Sequence, residues 1–243
     1  MLIHNHHLFK IYFGDAKDKI YPKDYLDLSA DKAIFELDQF AALKKVMQLD
    51  ALVFLHQVHG AEGLVIDSLE QAKKLKCFMQ EGDFLITNVK RVGVGIMTAD
   101  CLPVVLFDKR NQVIAVAHAG WRSSVKQIVS KTIDQMQKSF NTRLEDLKIF
   151  FGPSAKLCCY KVADDFIEHF EEFEFLDRVI QRRSDGIYFD LPMFNVALLE
   201  ELGIKKGAIN LNYNDCTVCN PLLFSYRRAG EESGRQMTVA CLT

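Results

Sequence analysis

The sequence predicts an α/β (α+β) fold, mixed sheets in layers covered by helices, and three observations carry that expectation. Runs such as Val104 to Phe107 and Val113 to Ala117 have the length of strands and are apolar on both faces, as strands buried on both sides must be. Segments with apolar residues at steps of three and four alternate with them, which is the helical period. With 243 residues, 49% of them apolar, the chain can bury roughly three quarters of its unfolded surface, so no disulfide is needed to hold a core.

In chain order, a first strand is expected around Leu8 to Phe13. Ala30 to Met47 sets Ile34, Leu37, Phe40, Leu43 and Val46 on one face of a helix. Ala51 to Leu55, Val92 to Ile96, Pro103 to Phe107, Val113 to Ala117 and Leu147 to Phe151 read as strands. Ser124 to Phe140 repeats Val125, Ile128, Val129, Ile133, Met136 and Phe140 at helical spacing, giving a strand-turn-helix unit after Val113. Ala163 to Leu176 and Pro192 to Leu202 are expected helices, the second with proline in its first turn and Gly203 just past its end. Closing strands are expected near Ala208 to Asn212 and Gln236 to Cys241. No linker, repeat or low-complexity tract interrupts the chain, so residues 1–243 read as a single domain.

Thirty basic and thirty-two acidic side chains, with no long Lys/Arg run, argue against a nucleic-acid partner. No apolar run approaches the roughly 20 residues of a membrane span, and the N-terminus lacks the pattern of a signal peptide, so cytoplasm is the expected location. Seven cysteines in such a chain are core residues, metal ligands or nucleophiles rather than a disulfide framework.

His59, Cys101 and His118 each fall at an expected strand end, and neighbouring strands lie close enough for such residues to converge on a metal. Two imidazoles and a thiolate leave a fourth position open, the arrangement of a catalytic zinc. A buried cysteine and hydrogen-bonded histidines are the commoner fate of these residue types, so spacing alone leaves both readings open. Their surroundings add chemistry: Thr98-Ala-Asp-Cys-Leu-Pro103 puts the Asp100 carboxylate beside the thiol, and His118-Ala-Gly-Trp-Arg122 brings an arginine near the imidazole. Trp121 is expected to pack the His118 turn, with stacking on a base as the sharper alternative. Arg227 and Arg228 are, by default, a solvated pair. Cys216-Thr-Val-Cys219 has zinc-ribbon or redox spacing, but no second Cys-x-x-Cys completes it, so Cys219→Ser is expected to leave turnover nearly intact. The adjacent Cys158 and Cys159 are expected to be packing.

The blocks Gln57-Val-His-Gly60, Gly82-Asp83, Thr98-Ala-Asp-Cys-Leu-Pro103, His118-Ala-Gly-Trp-Arg122, Cys159-Tyr160, Phe189-Asp-Leu191 and Phe224-Ser-Tyr-Arg-Arg228 occur in the order of a known family. From about Gln57 onward the chain resembles the laccase-domain, YfiH-like proteins, once called multicopper polyphenol oxidases and now regarded as purine nucleoside phosphorylases with adenosine deaminase activity. The resemblance implies a single layered α/β domain and a zinc or copper ion on His59, Cys101 and His118. It implies that Asp100, Cys101 and Arg122 are catalytic, and that Arg122 with Arg227 or Arg228 binds phosphate, for which a planar bidentate guanidinium is suited. Two departures stand out: only Asp27-Leu28-Ser29 remains of an N-terminal family segment, and Ser123 replaces a glycine.

The implied reactions are phosphorolysis of adenosine, inosine and S-methyl-5′-thioadenosine to base and ribose 1-phosphate, with deamination of adenosine. The rivals are a copper-dependent phenol oxidase and a non-enzymatic metal-binding protein. With seven histidines in all and no histidine beside Cys101, the sequence cannot supply the many imidazoles of a four-copper oxidase.

Overall fold

A computed structural model describes residues 2–25 and 38–243. Leu2–Asn5 pairs antiparallel with Phe9–Phe13, which joins Gln236–Leu242, then Val92–Thr98, then the parallel edge strand Ala51–Phe54, in a five-stranded sheet. A six-stranded sheet runs in the order Ile209–Asn210, Leu147–Phe151, Leu102–Asp108, Val113–Ala119, Phe84–Thr87, Gly63–Ile66. A third, small sheet holds Lys161–Val162, Gly186–Phe189 and Ile180–Arg183.

Side-chain alternation explains the layering, because successive residues of a strand point to opposite faces. Ala51, Val53 and Leu55 meet Val105, Phe107, Ile114 and Val116 between the two large sheets. Leu52 and Phe54 turn the other way, onto Phe40, Leu43 and Met47 of the helix Asp38–Met47. Val104, Leu106, Ala115 and Ala117 face Ile128, Val129, Ile133 and Met136 of the helix Ile128–Phe140, and Phe194, Ala197 and Leu198 of the helix Leu191–Glu201. The result is helix, sheet, sheet, helices. Every residue of Val92–Thr98, Leu102–Asp108 and Val113–Ala119 is buried, as their two-faced apolarity predicts.

Several elements differ from the sequence reading. The helix before Met47 is described only over Asp38–Met47; Ala30 to Leu37, like Asp27 to Ser29, lies outside the described residues. The helix after Val113–Ala119 is two pieces, Trp121–Val125 and Ile128–Phe140, parted at Gln127 with φ 57°. Ala163 to Leu176 is not an α-helix but 3₁₀ turns over Asp164–Phe170 and Leu176–Arg178, because Phe166, Phe170, Phe173 and Phe175 all have to reach one core and a 3.6-residue period cannot aim all four. Gly63–Ile66, Phe84–Thr87, Lys161–Val162 and the hairpin of Ile180–Arg183 with Gly186–Phe189 are strands the reading missed. No described helix is long and apolar enough to cross a membrane.

Candidate metal centre and active site

The site forms where the chain passes from one large sheet to the other. Val92–Thr98 ends in the five-stranded sheet and Leu102–Asp108 begins in the six-stranded one, so Ala99, Asp100 and Cys101 make the crossing. Asp100 turns it with φ 87°, a conformation that costs a non-glycine residue energy and persists only when its surroundings hold it. Its carbonyl accepts from the Ala155 N–H, its Oδ1 from Thr217 Oγ1 at 2.6 Å, and its Oδ2 from the Arg227 N–H at 2.6 Å.

His118 lies in Val113–Ala119, opposite Pro103 and so beside the start of the strand that follows Cys101. His59 arrives on a loop after Ala51–Phe54 with φ 56°. Two anchors fix that loop. Gln57 spans the Met97 backbone, its Nε2 donating to the carbonyl at 2.9 Å and its Oε1 accepting from the N–H at 2.8 Å. Asp83 accepts the backbone N–H groups of Val58, His59 and Gly60 at 3.2, 3.0 and 2.6 Å.

The donor atoms of His59, Cys101 and His118 lie within 4.8 Å of one another, with Cys101 Sγ 3.8 Å from His59 Nε2. Ligands at zinc distances subtending a tetrahedral angle sit about 3.6 Å apart for a nitrogen and sulfur pair, so the donor set fits a divalent metal. Asp83 Oδ1 takes the His118 Nδ1 proton at 2.8 Å, leaving Nε2 for the cluster. The fit leaves no slack at Gly120, where a Cβ would stand 2.9 Å from Cys101 Sγ and 3.0 Å from the His59 ring. Asp83 is the functional residue that residue-by-residue reading passed over; its only signal was a place in the Gly82-Asp83 block.

The charges agree with the geometry. Burial works to raise the Cys101 thiol, but the positive His118 ring and hydrogen bonds from His118 and His59 outweigh it and bring it down to about 6. Burial works to lower His118, but the Cys101 thiolate and the Asp83 hydrogen bond raise it to about 9. Asp83, despite burial, is held below its usual value by His118 and the backbone donors. Each group thus favours the charged form of the other. Iodoacetamide should label Cys101 of metal-stripped protein with a half-point near pH 6, against roughly 8.5 for an ordinary thiol, since only the thiolate reacts and it forms as pH rises through its pKa. Peptide mapping checks this, and a half-point above pH 8 would count against the ion pair.

These residues open onto a cavity of about 730 Å³, of a size for a small organic ligand, lined also by Asp100, Trp121, Arg122, Tyr160, Arg227 and Arg235. Asp100 is the carboxylate on that wall among the described residues. The exposed Arg122 guanidinium lies 4.4 Å from the Trp121 ring centroid and makes no hydrogen bond or ion pair among the described residues. Trp121 itself packs on Phe166, His169 and Phe170, as expected of the His118 turn. Arg227 stacks on Tyr160 at 4.6 Å and donates to the Lys161 carbonyl. Arg228 donates its guanidinium to the carbonyls of Thr217, Val218, Asn220 and Leu223 and so braces that loop. Ser123 is fully buried rather than presented to a ligand. The cysteines at 158, 159, 216 and 219 also meet, correcting their expected independence.

Known proteins resemble the chain throughout this region. It is 32% identical over 210 residues to a purine nucleoside phosphorylase of Clostridium acetobutylicum, covering 83% of this chain and 81% of that one. It is 33% identical over 225 residues to an adenosine deaminase from an unknown prokaryotic organism, covering 87% and 84%. Its fold matches that of the hypothetical protein YfiH of Bacillus licheniformis with a TM-score of 0.83 at 23% identity, over 97% of this chain and 93% of that one. Residues 30–243, which carry the His59, Cys101 and His118 cluster and its cavity, match the family described as multi-copper polyphenol oxidoreductase laccase, and the chain belongs to that family.

Proposed function

We propose that the chain is a cytoplasmic, metal-dependent purine nucleoside phosphorylase that also deaminates adenosine. The observation that carries the reading is the convergence of His59, Cys101 and His118 on a cavity also lined by Arg122, whose guanidinium has no hydrogen-bond partner among the described residues. Relatives named purine nucleoside phosphorylase and adenosine deaminase, at about a third identity over most of the chain, support it.

His59, Cys101 and His118 would hold zinc or copper, which when bound would supply Lewis-acid polarisation of a substrate atom. The residues of the chain do the rest. Glycosidic cleavage builds positive charge on the sugar, so phosphate must be held close and oriented, which the planar Arg122 fork does, with Arg227 also lining the cavity. Asp100, fixed by Thr217 and the Arg227 N–H, takes a proton from the attacking dihydrogen phosphate or water and returns it to the departing base in phosphorolysis or to the departing ammonia in deamination. Tyr160, whose phenol burial holds above its usual value and therefore protonated, is a donor beside it.

Arg122→Lys keeps the charge and loses the fork. It should raise the phosphate KM and lower phosphorolysis by about tenfold or more, while deamination, which consumes water alone, changes less. Equal loss of both activities would assign Arg122 a structural role. The whole proposal is tested by incubating protein of known metal content with adenosine, with and without phosphate, and identifying products by mass. Adenine with ribose 1-phosphate, and inosine in the absence of phosphate, are expected; no conversion of adenosine or inosine, or oxygen uptake on phenols alone, overturns it.

A further inference from the structure

A second cluster of metal-capable side chains is present among the described residues. Cys158 and Cys159 sit in a turn after Ser154, and Cys216 and Cys219 in a turn that the chain lays alongside it: Ser154 and Cys216 bridge as parallel strands, with Thr217 N–H donating to the Ser154 carbonyl at 3.0 Å. All four sulfurs lie within 4.8 Å of one another, Cys219 being 2.9 Å from Cys159 and 3.5 Å from Cys158. Four sulfurs around zinc at about 2.3 Å stand about 3.8 Å apart, which is the scale of this cluster. One sulfur shared between two others does not fit a single disulfide, whose atoms are bonded pairwise at about 2.05 Å.

We propose that Cys158, Cys159, Cys216 and Cys219 hold a structural zinc ion. Cys-x-x-Cys is a chelating pair, and the adjacent cysteines supply the second pair that the sequence hid by omitting the usual spacing. The surroundings are those of a zinc-thiolate centre. Four thiolates around Zn²⁺ leave two net negative charges, and two guanidinium groups sit on the two turns: Arg183 donates to the carbonyls of Leu157 and Cys158, Arg228 to those of Thr217 and Val218. With four protein ligands no coordination position is open, so the ion holds structure and does no chemistry of its own.

What it holds is one wall of the cavity. Tyr160 follows Cys159, and Thr217, between Cys216 and Cys219, donates to Asp100 Oδ1. The ion therefore ties together two turns, far apart in sequence, that set Asp100 and Tyr160. Loss of the ion should lower the melting temperature and slow turnover through Asp100, replacing the expectation that Cys219→Ser is silent.

The test counts zinc by elemental analysis in zinc-replete full-length protein kept reduced, as wild type, Cys219→Ser, Cys101→Ala and the double variant. The expected counts are two, one, one and none. The zinc remaining in Cys101→Ala should show an X-ray absorption shell of sulfur alone at about 2.3 Å, which keeps the test decisive if Cys219→Ser does not fold. A folded Cys219→Ser protein with the wild-type count overturns the site, as does nitrogen in the Cys101→Ala shell. Protein that takes up no zinc there and, once the reductant is removed in air, loses two hydrogens to dioxygen across Cys159 and Cys219 overturns it in favour of a redox pair. The site does not rest on the proposed activity: if Cys219→Ser loses one zinc and no nucleoside is converted, the zinc site stands and the enzyme reading falls.

Discussion

Cys101→Ala is expected to stay folded, to lose one metal ion per chain, and to lose conversion of adenosine both with and without phosphate. Truncating a buried sulfur to a methyl group removes little volume, so packing alone predicts about 1–2 kcal/mol of destabilisation, which a domain of ordinary stability survives. The chemical loss is of another order. Cys101 is the one donor of its cluster that can be anionic, and the neighbouring His118 lowers its thiol pKa and so favours the thiolate. Two neutral imidazoles without the thiolate bind zinc far more weakly, so metal and activity should disappear together. Circular dichroism, elemental analysis and product mass on one preparation decide the matter. A folded variant with the wild-type metal count and normal turnover would return Cys101 to the status of a packed core cysteine.

The parts of the molecule legible in the sequence are those where a local pattern has one structural meaning. Val113 to Ala117 reads as a strand buried on both faces because it is a short, unbroken apolar run led by β-branched residues, and every residue of the strand Val113–Ala119 is buried. His59, Cys101 and His118 were nameable because each stands at a strand end beside polar chemistry. Partners chosen by topology were not. Asp83 reaches His118 and the loop of residues 58–60 only because Phe84–Thr87 pairs with Val113–Ala119. Cys158 and Cys219 are 61 residues apart and meet only through the bridge of Ser154 with Cys216. Arg227 and Arg228 show the same limit: a guanidinium serves phosphate and carbonyl equally well, and only the fold sends Arg228 to four carbonyls while Arg227 stays on the cavity wall. The phenylalanines between Phe166 and Phe175 misled because helical spacing over part of a segment does not require a helix when every aromatic ring has its own place in the core.

Asp83→Asn is expected to weaken zinc binding at the His59 site by roughly 10- to 100-fold and to lower stability by about 1–3 kcal/mol, although it changes one oxygen to nitrogen. Asp83 accepts on both oxygens: Oδ1 from His118 Nδ1 and the His59 N–H, Oδ2 from the Val58 and Gly60 N–H groups. An amide has only one accepting oxygen. If its NH₂ faces Val58 and Gly60, donors oppose donors in a buried place, and the loop that carries His59 at φ 56° loses its anchor. If its NH₂ faces His118, the ring must accept at Nδ1 and carry its proton on Nε2, the nitrogen the metal needs. Either orientation damages one ligand while leaving all three ligand residues in place. Competition with a chelator of known affinity measures the first effect, thermal unfolding of the metal-free protein the second, and ¹⁵N NMR of the histidine rings shows which nitrogen of His118 holds the proton. Wild-type zinc affinity together with an unchanged His118 tautomer would mean that Asp83 neither orients the imidazole nor holds the loop.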